Sequence, residues 1–126
     1  MSDAFKLIGS YEVTPLSNPL SFAVSSVAPI NESIQLKAKE STDVLLTVDS
    51  AVAAPFGGVT NAHIVILKAV GGKVKARITS ADGATQSVPF DTYFILMSES
   101  VPVTAIDLTR VAATPTTVRV FLAEKA

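Results

Sequence analysis

The chain has 126 residues, enough for one domain around one core. Hydrophobic residues make up 48% and charged residues 17%, the reverse of the balance in disordered chains, so most of the chain is expected to fold. Ten Lys and Arg against eleven Asp and Glu leave a net charge of −1, which gives no bulk electrostatic drive toward nucleic acid or anionic lipid, and the absence of cysteine rules out disulfides and thiolate metal sites.

Taken in chain order, the apolar residues alternate instead of recurring at helical spacing, so the predicted elements are strands and no helix is placed. Residues 5–13 form a first strand with Gly9 at a bulge. Residues 14–31 carry Pro15, Pro19 and Pro29 among several serines and read as an extended arm, although 20–25 alternates Leu20, Phe22 and Val24. Strands follow at 33–38 (Ile34, Leu36, Ala38 on one face) and 44–48 (Val44, Leu46, Val48). Strands at 62–69 and 73–80 flank Val70-Gly71-Gly72, which predicts a hairpin, and a second turn at Asp82-Gly83 leads into a strand near 85–88. Strands at 92–98, 103–110 and 117–123 complete nine or ten short strands in one domain, 1–126, with the prolines expected between or at the ends of them. The pattern predicts an all-β fold, an antiparallel β-sandwich of jelly-roll or immunoglobulin-like type.

The mean hydropathy is +0.46, but the longest apolar stretches, 52–58 and 93–97, fall far short of the about 20 residues that cross a bilayer. Asp3, Lys6 and Glu12 interrupt any apolar leader, so no secretory signal is read and the Asn31-Glu32-Ser33 sequon carries no weight. No nucleophile elbow, zinc-protease motif or complete phosphate loop is present, and Gly71-Gly72-Lys73 lacks the flanking residues a phosphate loop needs. His63, the only histidine, lies on a predicted strand beside Ile64, Val65 and Ile66 and is read as a strand histidine bonded to a neighbour; one histidine does not make a zinc site. Asp43 and Asp49 flank one strand and Asp82 and Asp91 another, at spacings that suit turns and strand ends better than a hydrolytic pair or a calcium cage. No enzyme, cofactor or metal reading follows.

Interaction features are more informative. Lys73, Lys75 and Arg77 alternate with Val74, Ala76 and Ile78, placing three cations on one strand face that meets solvent or an acidic partner. Aromatic interleaving is absent there, which argues against stacking of single-stranded nucleic acid, and the lack of Trp argues against a sugar platform. Three strands are apolar on both faces: Ile64 and Ile66 oppose Val65 and Leu67; Tyr93, Ile95 and Met97 oppose Phe94 and Leu96; Val118, Val120 and Leu122 oppose Arg119 and Phe121. A sandwich covers one face of each sheet, so the second is covered by the chain's own loops, by an arm, or by another subunit. Arg119 and Phe121, an arginine beside an aromatic, are the first candidates for an interface, with Lys73, Lys75 and Arg77 as the second.

The stretch Phe56-Gly57-Gly58-Val59-Thr60-Asn61-Ala62-His63, the turn Ser80-Ala81-Asp82-Gly83, and the closing Val103-Thr104-Ala105-Ile106-Asp107-Leu108-Thr109-Arg110 with Thr117-Val118-Arg119-Val120-Phe121-Leu122 resemble small virion proteins of tailed bacteriophages. These are capsid decoration proteins and small head or tail accessory proteins. The resemblance implies a β-sandwich that forms a homo-oligomer, docks on a major capsid or tail protein, is made in the host cytoplasm and ends in the virion, without nucleic acid or membrane as partner. Capsid decoration is the expected role; a tail or fibre-base accessory protein, or a monomeric module for a small ligand or sugar, are the alternatives. The resemblance brings no site residues with it.

Overall fold

The computed structural model describes the backbone of residues 4–13 and 26–126 and the side chains of 4–6 and 34–126. The described residues form nine strands: β1 (Ala4–Val13), β2 (Ser26–Leu46), β3 (Val52–Ala53), β4 (Ile64–Val70), β5 (Val74–Ser80), β6 (Thr85–Phe90), β7 (Tyr93–Met97), β8 (Val103–Arg110) and β9 (Thr116–Lys125). They belong to two compact units, Met1–Gln35 and Leu36–Ala126.

In the first unit β1 and the opening part of β2 pair antiparallel without interruption, from Ala4 opposite Gln35 to Val13 opposite Ser26. Residues 26–31, the described end of the segment expected as an extended arm, pair with β1, and Pro29 lies inside the strand opposite Ser10 instead of at a strand end. The alternating segment 20–25 lies outside the described residues.

The second unit is an antiparallel β-sandwich. One sheet has the order β2-β9-β4-β7, with β2 contributing from Leu36 onward, and the other has the order β3-β8-β5-β6. The alternation seen in the sequence explains the packing. Val118, Val120 and Leu122 of β9, Val65 and Leu67 of β4, and Val44 and Leu46 of β2 point inward from the first sheet. They meet Ile106 and Leu108 of β8 and Val74, Ala76 and Ile78 of β5 in one buried cluster. Burial of such side chains, each stabilising by about 1.5–3 kcal/mol, holds the two sheets together.

Several expectations are corrected. The strands predicted at 33–38 and 44–48 are one strand, β2, because the ladder to β9 continues through the polar run Lys39 to Asp43. A register shift between Leu36 and Ala38 inserts Lys37 as an extra residue in that ladder. Val70-Gly71-Gly72 is not a hairpin: β4 and β5 lie in different sheets, so the glycines carry the chain across the sandwich. The hairpin is the next turn, where Ser80 N–H donates to Ala84 O and Gly83 N–H to Ser80 O, both at 2.9 Å, and Asp82 accepts the Ala84 N–H. Pro89 sits inside β6 instead of beyond it, which is tolerated because β6 is an edge strand where a missing N–H leaves no ladder bond unmade. Asp43, expected at a strand end, lies within β2 opposite Arg119.

Candidate interaction surfaces

The outer face of the first sheet is built in rows by the register of β2, β9, β4 and β7. One row runs Ser41–Phe121–Ile66–Ile95, and the next Asp43–Arg119–Lys68–Tyr93. Arg119 Nε donates to Asp43 Oδ1 at 3.2 Å, and Lys68 Nζ stands 5.5 Å from the Tyr93 ring centre. In the first row Phe121 and Ile66 are half-buried, whereas Ile95 is 51% exposed. Tyr93, beside it on β7, is 55% exposed, and Val70 and Leu45 extend the same face at 57% and 60%. Exposed apolar residues thus occur across this face, beside the charged row of Asp43, Arg119 and Lys68, and two of them, Tyr93 and Ile95, lie on β7, an edge strand among the described residues without a charged residue or proline.

The five interface candidates from the sequence fall on two surfaces. Arg119 and Phe121 lie on the outer face just described. Lys73, Lys75 and Arg77 are exposed on the opposite side of the sandwich, with Lys75 and Arg77 on the outer face of β5. There Arg77 stands directly opposite Asp107, and both line a hollow of about 290 Å3 with Lys75 and Ser87, so the field is mixed and not purely basic. The Arg119–Asp43 pair is exposed on both sides. Exposed pairs contribute about 0–1 kcal/mol, so Arg119→Ala is expected to change unfolding stability by less than about 1 kcal/mol, as read by urea denaturation.

A cleft of about 550 Å3 opens between β5 and β6 on one side and β7 on the other. Ile78, Val88, Phe94, Leu96 and Val101 line it, and none of its lining residues is charged. The cleft exists because β6 and β7 are consecutive but lie in different sheets and do not pair with each other. Among the described residues no strand pairs with the outer edge of either. Phe90 and Phe94, with ring centres 6.2 Å apart, pack where β6 passes into β7. The two-sided apolarity of 93–97 was the sequence signal for this region, but its position at an edge was not visible without the strand order.

His63 and Glu124 each accept backbone N–H groups with their side chains. His63 lies one residue before β4; its N–H donates to Ala123 O and its carbonyl accepts from Ser98, both at 2.8 Å. Its Nδ1 accepts the Lys125 N–H at 3.1 Å. In a hydrolytic triad that nitrogen would instead carry a proton and donate it to a carboxylate, so this histidine is not held as a triad base. Glu124, which follows Val118, Val120 and Leu122 on the inward parity of β9, is buried. Its Oε1 accepts the backbone N–H groups of Thr60 (2.9 Å) and Asn61 (3.3 Å), and Oε2 lies 3.6 Å from Nζ of Lys37, the bulge residue. The Thr60 N–H holds the carboxyl below its ordinary pKa, outweighing desolvation, with help from the Asn61 N–H and Lys37. Sequence reasoning missed this residue, although a charge at an inward position was the signal. Among the described residues no group of three His, Asp or Glu side chains could hold a metal ion. No family model, curated protein or solved structure matches the chain.

Proposed function

We propose that this chain is a non-enzymatic structural protein that associates with copies of itself and docks on a larger protein lattice. The observation that carries this reading is the set of exposed apolar residues on the outer face of the first sheet, with Tyr93 and Ile95 on β7, an edge strand that carries no charge and has no partner on its outer side among the described residues. Soluble monomers guard sheet edges with charges, prolines or bulges, and keep contiguous apolar patches small. A face left open in this way fits burial against another protein chain. The resemblance to tailed-phage virion proteins gives the reading its specific form, a capsid decoration protein made in the host cytoplasm and carried in the virion.

The rival reading is a monomeric small-ligand module. The cleft volume of about 550 Å3 lies within the range that holds a small apolar ligand. Among the described residues the outer backbone edges of β6 and β7 have no strand partner, which favours a strand over a small molecule, since a compact ligand cannot satisfy a row of N–H and C=O groups.

Size-exclusion chromatography with light scattering separates the two. The wild type is expected to elute as an oligomer and Ile95→Asp as a smaller species with an unchanged unfolding transition, because Ile95 points away from the core. A wild-type monomer, or an Ile95→Asp protein of unchanged mass, counts against assembly through this face.

A further inference from the structure

We infer that β7 pairs with itself: the outer edge of Tyr93–Met97 joins, antiparallel, the same strand of a second copy across a two-fold axis at Ile95. The inference rests on the assembly reading above and names the contact that carries it. The hydrogen bonds at the two ends of β7 set which of its backbone groups face outward. Ala69 N–H donates to Thr92 O at 2.9 Å and Ser98 N–H to His63 O at 2.8 Å, so the even-numbered residues bond toward β4. In an antiparallel ladder the alternate residues turn their N–H and C=O groups the other way. Tyr93, Ile95 and Met97 therefore present theirs at the outer edge, where no described strand meets them. Other described edges of this unit are guarded. β3 is two residues long. On β6 the Ser80 N–H bond to Ala84 O sets the parity, and Pro89 falls among the outward residues, so that edge lacks an N–H. β2 beyond Gln35 carries Lys37, Lys39, Glu40 and Asp43. β7 has none of these devices.

The outward groups are arranged symmetrically about Ile95, and that symmetry points to a second copy. An antiparallel copy centred there sets Ile95 against Ile95 and Tyr93 against Met97, so every outward N–H and C=O of these residues meets its complement. The side chains match as well. Tyr93, Ile95 and Met97 form one apolar row across the axis on the outer face, while Phe94 meets Leu96 on the inner face. Phe94 and Leu96 line the cleft toward β6, so the same contact brings further apolar side chains beside its mouth. Flanking charges fix the register. A slip of two residues in either direction puts Asp91 against Met97 or Glu99 against Tyr93; in the centred register both charges lie beyond the paired strands. An unrelated strand would need apolar residues on both faces and no charge over five residues, which a second β7 supplies by identity. The contact is isologous and closes as a dimer with one sheet running through both copies.

The chain has no cysteine, so single-cysteine variants of the full chain report the register directly. Ile95→Cys, oxidised under native conditions and run on a non-reducing denaturing gel, is expected to appear mostly as a disulfide-linked dimer. Paired residues of this kind have Cα atoms about 5.5 Å apart, a separation that a disulfide spans. Tyr93→Cys is the control, because Tyr93 and Ile95 are exposed alike, at 55% and 51%, and random collision would couple both. In the centred register each Tyr93 stands about 14 Å along the strand from its own copy, so Tyr93→Cys should stay reduced alone and couple when mixed with Met97→Cys. Equal coupling of Ile95→Cys and Tyr93→Cys overturns the inference. So do uncoupled cysteines in variants that light scattering shows to be oligomers, with the edge free or held by another strand, and that result leaves the assembly reading standing. Uncoupled cysteines together with a wild-type monomer remove both.

Discussion

Replacing Glu124 by leucine is expected to lower unfolding stability at pH 7 by about 3 kcal/mol. The leucine removes the carboxylate that accepts from the partly buried Thr60 and Asn61 N–H groups, and hydrogen bonds to a charged group contribute about 1.5–3 kcal/mol. It also leaves Lys37 without its partner, a smaller loss because that side chain is largely exposed. The effect reaches beyond one residue, because Glu124 ties the 56–61 connection to the last strand of the first sheet. The pH dependence follows from the direction of the pKa shift. The folded carboxyl titrates below its ordinary value of 4.5, so its stabilising contribution is fully present above that pH. It is lost as pH falls through the folded value, where the native state must take up the proton that the unfolded state already holds. Glu124→Gln, which keeps one acceptor oxygen, should cost less at pH 7 and should lack this component of the acid response. Urea denaturation of the three proteins from pH 7 to pH 3 measures both effects. Equal acid sensitivity in wild type and Glu124→Gln would show that Glu124 contributes nothing to it.

Gly71→Ala is expected to cost about 3 kcal/mol, for two additive reasons. Gly71 has φ +102°, a conformation that strains a residue with a Cβ by about 1–3 kcal/mol. A Cβ built there would also stand 2.8 Å from the Pro115 carbonyl oxygen, a backbone atom that cannot swing aside. Gly71 lies where the chain leaves β4 for β5 in the other sheet, so relief by movement would disturb the crossing itself. Gly58→Ala is the control: a Cβ there meets nothing within 4 Å, and its φ is not positive. It should be neutral or stabilise by up to about 1 kcal/mol through the unfolded state. Thermal unfolding of both variants checks the contrast, and similar losses in the two would contradict it.

The same glycines show what was legible in the sequence. Alternation set Val118, Val120 and Leu122 of β9 on the core face, opposite Arg119 and Phe121, and Asp82-Gly83 located the β5–β6 hairpin, since both signals are local. Gly71-Gly72 marks a tight reversal equally well, but a turn does not encode which sheet receives the next strand. The polar run in β2 concealed its continuity for a related reason. Lys39, Ser41 and Asp43 face outward, while Thr42 donates to Glu40 on the other side at 2.9 Å, so the ladder runs on without apolar side chains. For the candidate site, the double-sided apolarity of Tyr93 to Met97 was readable, whereas its edge position depends on the order of strands far apart in sequence. Arg119 and Phe121 were chosen for residue type; the strand register shows Leu45, Val70, Tyr93 and Ile95 to be the exposed apolar residues of that face.

The claim that joins these observations is that the chain is built to be covered by another copy of itself. Sedimentation equilibrium of the full wild-type chain over a range of concentrations tests it most directly. The expected result is a mass that is a multiple of 13.1 kDa, with dissociation on dilution. A single species of 13.1 kDa at every concentration would contradict it.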